Sequence, residues 1–576
     1  MDYLKYQIEQ DFIDTINKLF NLSLSTLSIR SNLALQEFDY QVDACFIIAK
    51  ELKKNPLEIA EIISTNLSRN DIYYTVKPSK PGFINIKIDS NFLQSYLSTF
   101  LNDPRLCIVS TPHVKTIVVD YGSPNVAKEM HVGHLRSAII GDAIARILTF
   151  LGHNVIRQNH TGDWGTQFGF LIQYIIEDNL KFNNISELNQ AYKAARELFD
   201  NDKNFELRAR KRLTLLQSHD KETYSIWENL SKISYQHFNS IFKKLGVLLT
   251  EQDVRGESFY NFMLPDIVKE LLNTCIAEES QSAKVIFVPG FYDKDKNPLP
   301  MIIQKSDGGY LYHTTDLAAA KYRLNTLHAD RIIYVTDMRQ KQHFAMLFSA
   351  LKYANWLNPS TTELNHIAFG TVLGEDHKPF KTRSGETISL NLLLEEAENK
   401  ATDSLKRKYP ELSEYELKNL ANSIGIGALK YADLSNDLNK DYVFSWEKML
   451  AFNGNTALYL QNAYVRIHSI FRKENFNIIN AKGNIIITND IERMLCLKIS
   501  EFPDIIRSIE IKLTPHLLCN YLYELASLFH NFYESCHIGK CKEEDIKLSR
   551  LLISLLVAKT LKLGLELLGI QVVEKM

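Results

Sequence analysis

VVDYGSPNVAKEMHVGHLRSAIIGDAIARIL, Val118 to Leu148, is the stretch whose reading decides the fold. It opens as an apolar run of the kind buried on both faces of a parallel sheet. A Gly-Ser-Pro-Asn corner follows. The remainder has helical spacing, with Leu135, Ile139, Ala143, Ile147 and, just beyond, Leu151 on one side. A strand that turns into a helix is the repeating unit of a doubly wound sheet, where ligands bind at the carboxyl ends of strands. Helix N-termini at that edge favour anions, because orphan N–H groups and the helix dipole point at them. His131 and His134 stand where this helix opens, three residues apart and so on one face. Gly133 removes a side chain where a flat base could press on the backbone. With Asn125 and Lys128 just upstream, the set suits a triphosphate attacked at its α-phosphorus, where fixed donors stabilise the charge that builds. No G-x-G-x-x-G follows the strand, so the usual dinucleotide marker is missing.

Outward from this stretch the pattern continues. NVIRQNH, DRIIYVTD and HIAFGTVLG read as further strands, which makes residues 111–390 a Rossmann-like, doubly wound parallel α/β unit. Its middle, about 170 to 300, reads as mostly helical insertion. Residues 1–110 read as a small α+β unit, with PGFINIKI alternating like a strand. Strands nearly vanish after residue 390: 391–453 reads as a helical connector and 454–576 as an all-α domain.

Composition bounds the function. The chain has 576 residues, 45% hydrophobic and 23% charged, as expected of several globular domains. No run of about eighteen apolar residues appears, so no membrane span is expected. The N-terminus has no basic region leading into an apolar core, so it does not read as a secretory signal. Seven scattered cysteines suit a reducing cytoplasm better than a disulfide framework. Cys536, His537 and Cys541 lack an answering pair, so no metal site is expected. A net charge of −2 does not announce a nucleic-acid partner; RNA binding would rest on local patches and shape. ELRARKRL (Glu206 to Leu213) is one such patch, and by itself it reads as a solvated helix face.

HVGH followed by LRS resembles the His-Ile-Gly-His signature of class I aminoacyl-tRNA synthetases. The wider block from Ser123 to Gly169 is similar to the arginyl-tRNA synthetases, and the likeness runs on through GESFYN, LYHTTDLAAAKYR, FKTRSGETISL, the long block Ala428 to Ile467, YLYELASLFHNFYESC and LGIQVVEKM. The resemblance implies activation of arginine with ATP and magnesium, followed by transfer to tRNA. His131, Gly133 and His134 would meet the nucleotide. The second class I signature is altered to FKTRSGET, and its mobile cation is divided between Lys128 and the Lys381–Arg383 segment, either placed to meet pyrophosphate. The resemblance assigns Asp120, Asn125, Tyr312, Asp316 and Gln340 to the arginine site, with Glu257 as a further partner. It makes the N-terminal unit a tRNA-elbow domain and the C-terminal helices an anticodon-binding domain, in a cytoplasmic monomer. Phe83, Asn85, Tyr459, Tyr464, Phe529, Phe532 and Tyr533 are candidates to stack on or bind bases.

Guanidinium chemistry supports that assignment. A planar, permanent, donor-rich cation needs fixed carboxylates in forked geometry. Asp120 ends the first strand, and Tyr312 and Asp316 share a face if YHTTD opens a helix. Two rivals are a different adenylate-forming enzyme using the same histidines and a catalytically silent RNA-binding relative. The acidic residues argue against the first, and the intact signature residues against the second. HIGK, His537 to Lys540, imitates the signature without a preceding strand and reads as a loop.

Overall fold

The computed structural model describes residues 3–31, 37–67, 71–380, 388–479 and 481–574. The chain begins with α1 (Leu4–Phe20), β1 (Ile29–Ser31), β2 (Tyr40–Val42), α2 (Cys45–Leu52), α3 (Pro56–Leu67), β3 (Tyr73–Ser79), β4 (Phe83–Ile88) and α4 (Ser90–Asn102). The four strands form an antiparallel sheet in the order β1-β2-β4-β3. Ile84, Ile86 and Ile88 of β4 all point into its core, as period-two alternation requires. Asp89 starts α4 by accepting the backbone N–H groups of Asn91 and Phe92.

The central unit runs β5 (Thr116–Asp120), α5 (Val132–Phe150), β6 (Asn154–Gln158), α6 (Thr166–Glu177), α7 (Ile185–Asn201), α8 (Lys203–Gln217), α9 (Lys221–Leu245) and α10 (Leu264–Asn273). It continues with β7 (Glu278–Ser280), β8 (Ala283–Tyr292), β9 (Pro298–Gln304), α11 (Tyr312–Asn325), β10 (Arg331–Asp337), α12 (Lys341–Tyr353) and β11 (Glu363–Phe369). Strands β11-β10-β5-β6 form one parallel sheet in that order. The chain steps from β5 to one side for β6 and to the other for β10. The topological switch therefore falls between β5 and β10, and a crevice opens beyond their carboxyl ends. The expectation of helix through residue 300 needs correction: the helices stop at Asn273, and β7, β8 and β9 form a separate antiparallel sheet. Its sequence carries the reason, since AKVIFV and PMIIQ are β-branched runs around a turn in which Asp293 accepts the N–H of Asp295 and Asn297.

The remainder comprises β12 (Val372–Leu373), α13 (Leu390–Lys408), α14 (Glu414–Leu434), β13 (Tyr442–Val443), α15 (Trp446–Met449), α16 (Ala457–Lys473), α17 (Asp490–Ser500), α18 (Phe502–Lys512), α19 (His516–Ser535) and α20 (Glu544–Leu567). Beyond residue 390 the only strand among the described residues is β13, paired in parallel with β12.

Helix α5 departs from the one-sided reading of its sequence. It lies on β5, β6 and β10 and is covered by α13, α14, α18 and α20, so nearly its whole circumference is buried. Small residues permit this. A Cβ on Gly141 would lie 2.3 Å from the side chain of Tyr121. Burial on this scale forces its polar residues to find partners. Arg136 donates Nε to Asp433 of α14 at 3.2 Å and Nη1 to the Gly370 carbonyl at 2.6 Å. Asp433→Ala should strand that guanidinium and cost about 3–5 kcal/mol, lowering the urea midpoint. Asp433→Asn, which keeps an acceptor, should cost less.

Candidate active site

β5 delivers Asp120 to the crevice edge. One carboxylate oxygen accepts Arg323 Nη2 at 2.7 Å and the other the Ser123 hydroxyl at 3.3 Å. Arg323, fully buried on α11, also donates Nε to Gln158 at the end of β6 at 2.7 Å. The same helix opens with Tyr312, which stays 53% exposed and so available to a ligand, and carries Asp316 one turn later. Asp316 meets His343 Nε2 at 2.7 Å and His160 Nε2 at 3.4 Å. Burial alone would raise its pKa, but the two imidazoles hold it well below the usual carboxylate range.

Glu257 begins a 3-10 segment, Glu257–Met263, and accepts the Trp164 N–H at 3.3 Å. Burial pushes its pKa up to about 7, with Asp163 and Asp316 adding to the rise against His160. It has no ion-pair partner among the described residues. Asp120, Asn125, Glu257, Tyr312, Asp316 and Gln340, gathered from four separate stretches of chain, line a single cavity of about 450 Å³. That volume suits one small molecule held by a few convergent polar groups.

The two signature histidines stand beside this cavity. Arg339, which lines it, bears electrostatically on His131. His131 Nδ1 accepts the Gly133 N–H at 3.1 Å, and His134 Nδ1 accepts the His131 N–H at 3.0 Å. A nitrogen that accepts from a backbone N–H carries no proton, so both rings carry theirs on Nε2. Burial lowers both pKa values, that of His134 to about 3, so the pair are neutral donors, their rings tilted 38° to one another with centroids 3.9 Å apart. Gly133 is needed for a reason the sequence hid: a Cβ there would lie 2.9 Å from the His131 ring. Lys128 lies over the Tyr192 ring at 4.3 Å, near enough to bear on both histidines. Lys381 and Arg383 fall outside the described residues. The chain returns from them at Ile388, whose carbonyl accepts the Val132 N–H at the start of α5 at 3.2 Å.

Sequence reasoning missed His160, Asp163, Arg323 and His343. In NHTGDWGTQFG, Asn159 to Gly169, the glycines mark a turn, and nothing local announces the partners of its histidine and aspartate. In the structure Asp163 accepts the Ser258 N–H and hydroxyl at 2.8 and 2.7 Å and the Tyr235 hydroxyl at 3.2 Å, which fixes the segment carrying Glu257. Gly162 pairs with Asn125, and a Cβ on it would come 2.3 Å from the Asn125 amide oxygen.

Burial sorts the base-binding candidates. Tyr464, Phe529 and Phe532 are core residues, since they lie on the inward faces of α16 and α19. Asn85 is buried and accepts from Gln41 at 2.9 Å, and Phe83 packs edge-on against Phe46. Tyr459 is half-buried against Tyr523 and His530, while Tyr533 is more open, beneath Arg466. In ELRARKRL, Arg208 pairs with Glu177, Arg210 with Glu206, and Arg212 with Gln173 and Thr223, which leaves little free basic surface. HIGK is a turn, as expected.

Comparison with known proteins places this architecture. Residues 96–446 match the family described as tRNA synthetases class I (R), catalytic domain. Residues 460–576 match the DALR anticodon binding domain, and 6–88 the arginyl tRNA synthetase N terminal domain. Fold and site thus define a class I aminoacyl-tRNA synthetase. An arginine–tRNA ligase of Enterobacter sp. is 46% identical over 95% of both chains, and one of Mannheimia succiniciproducens 47% over 93% of this chain and 94% of its own. The crystal structure of arginyl-tRNA synthetase from Plasmodium falciparum is 32% identical, covers 100% of both chains and superposes with a TM-score of 0.86. The chain belongs to the arginyl-tRNA synthetase family.

Gly162→Ala should push Asn125 out of the cavity while leaving the sheet intact. Turnover should fall on the order of a hundredfold at an unchanged melting temperature.

Proposed function

We propose that this chain is an arginine–tRNA ligase that joins L-arginine to ATP as arginyl-adenylate and passes the arginyl group to the 3′ end of its tRNA. The observation that carries this reading is the convergence of six separated residues on one cavity beside the paired imidazoles. Arginine occupies the cavity with its guanidinium at Glu257, flanked by Asp316 and Tyr312. Asp120 holds its place through Arg323, and Asn125 and Gln340 take the α-amino and carboxylate end.

The ATP phosphates lie across the mouth of α5. The arginine carboxylate oxygen attacks the α-phosphorus, a P–O bond forms, and the bond to pyrophosphate breaks. His131 and His134 offer Nε2–H donors to the phosphoryl oxygens, and the helix N-terminus adds its own N–H groups. Neutral donors suit this task because they stabilise developing charge without competing for the guanidinium's counter-charges. Lys128 and the Lys381–Arg383 segment serve the departing pyrophosphate. Magnesium, carried by the nucleotide, would supply counter-charge to its phosphates. The 3′ hydroxyl of tRNA then attacks the adenylate carbonyl and AMP leaves.

Residues 1–110 serve the tRNA elbow, 391–453 connect, and 454–576 read the anticodon. Tyr459 and Tyr533 are the aromatic contacts left accessible there. The enzyme works as a monomer in the cytoplasm.

His134→Ala should slow arginine-dependent ATP–pyrophosphate exchange, measured with tRNA present, by about 10²–10³-fold. Citrulline, matched in shape but uncharged, should not be activated, because buried carboxylates would be left unpaired; equal activation of both would sink the reading. Arginine binds the ionised form of Glu257. With that carboxyl pushed up to about 7, arginine affinity should therefore be full above that pH and fall as pH drops below it. Glu257→Gln should weaken arginine binding and flatten this pH dependence in a titration of KM for arginine.

A further inference from the structure

His160 follows β6 and lines the cavity, yet neither the phosphate chemistry nor the guanidinium chemistry above gives it a task. Its Nδ1 lies 3.0 Å from the Arg255 carbonyl oxygen, and its Nε2 3.4 Å from a carboxylate oxygen of Asp316. A carbonyl and an ionised carboxylate only accept hydrogen bonds, whereas a neutral imidazole has one donor and one acceptor. One nitrogen of a neutral ring would therefore turn its lone pair on another lone pair. A proton shared with Asp316 stays on the ring, because imidazole exceeds a carboxyl in ordinary proton affinity by about two pH units.

We propose that His160 is a positioning residue held permanently as an imidazolium, which fixes Asp316 as a carboxylate and ties the Arg255–Glu257 segment to α11. The inference rests on the reading of this cavity as the arginine site. The charged groups that face the ring are Asp120 on β5, Asp316 and Arg323 on α11, Glu257 on the 3-10 segment and Asp163 on the ring's own loop. Burial works against protonation, but the bond to Asp316 and the charge of Asp120 outweigh it and Arg323, and raise the ring to about 9.

A consequence for substrate recognition follows. Arg323 answers Asp120, His160 and His343 both meet Asp316, and Asp163 is held by Ser258 and Tyr235, so Glu257 is the cavity-lining carboxylate left for the incoming guanidinium. Without the imidazolium the pocket would hold closely spaced carboxylates that raise one another's pKa.

The test is the pH profile of kcat/KM for arginine in the full-length enzyme and in His160→Gln, with KM for ATP as the internal control. Loss of the cation that lowers Glu257 should move the acid limb of the profile to higher pH and raise KM for arginine, while KM for ATP stays unchanged. A variant weakened equally at every pH, with its acid limb unmoved, would overturn the proposal. Imidazole NMR gives an independent reading: the His160 signal, identified by its absence in His160→Gln or His160→Asn, should remain in the protonated position up to about pH 8. A ring that titrates like a free histidine overturns the proposal whatever the kinetics show. If KM for arginine fails to respond to Glu257→Gln, the reading of the cavity falls, and the NMR titration still decides the charge of His160.

Discussion

The site depends on one buried ion pair, Asp120 with Arg323. It joins the carboxyl end of β5 to α11, and through Gln158 it reaches β6 as well. Removing a guanidinium and a carboxylate from water costs several kcal/mol for each ion, and the cost is offset only when geometry and further hydrogen bonds are good. Here the return is positional. With α11 pinned to the sheet edge, Tyr312 and Asp316 stand where Asn125 and Glu257 can converge with them. The pairing thus helps to set the register against the strands of the helix that carries Tyr312 and Asp316.

The two halves of the active site use different electrostatics. At the mouth of α5 the donors are neutral imidazoles, their tautomers set by backbone N–H groups and their basicity lowered by burial. In the cavity the groups are charged and, Glu257 apart, mutually paired. This separation lets a cationic substrate and a polyanionic one sit side by side without either set of contacts neutralising the other.

Local periodicity made the β5–α5 unit legible, along with the parallel sheet and the helical C-terminal half. A strand-turn-helix segment declares itself within about thirty residues, whatever surrounds it. Partners distant in sequence were not legible. Arg323 and Asp120 are separated by 203 positions, and nothing near either residue announces the other. His160 lies inside a block in which only the glycines carry a local signal, that of a turn. Its role appears only once Asp316 and the Arg255 carbonyl are placed beside it. The sheet of β7 to β9 was lost to the expectation of a helical insertion, although its β-branched runs were in view. The aromatic residues of α16 and α19 were ambiguous for another reason: helical spacing cannot distinguish a ring that packs inward from one that waits for a base. Only burial separates Tyr464 from Tyr533.

Helix α5 is enclosed by the sheet on one side and four helices on the other. A segment so enclosed can exchange its amide hydrogens only through the largest openings of the molecule. It is therefore the stationary frame of the enzyme. Any rearrangement around the crevice on binding leaves α5 in place and falls to the segments that surround it.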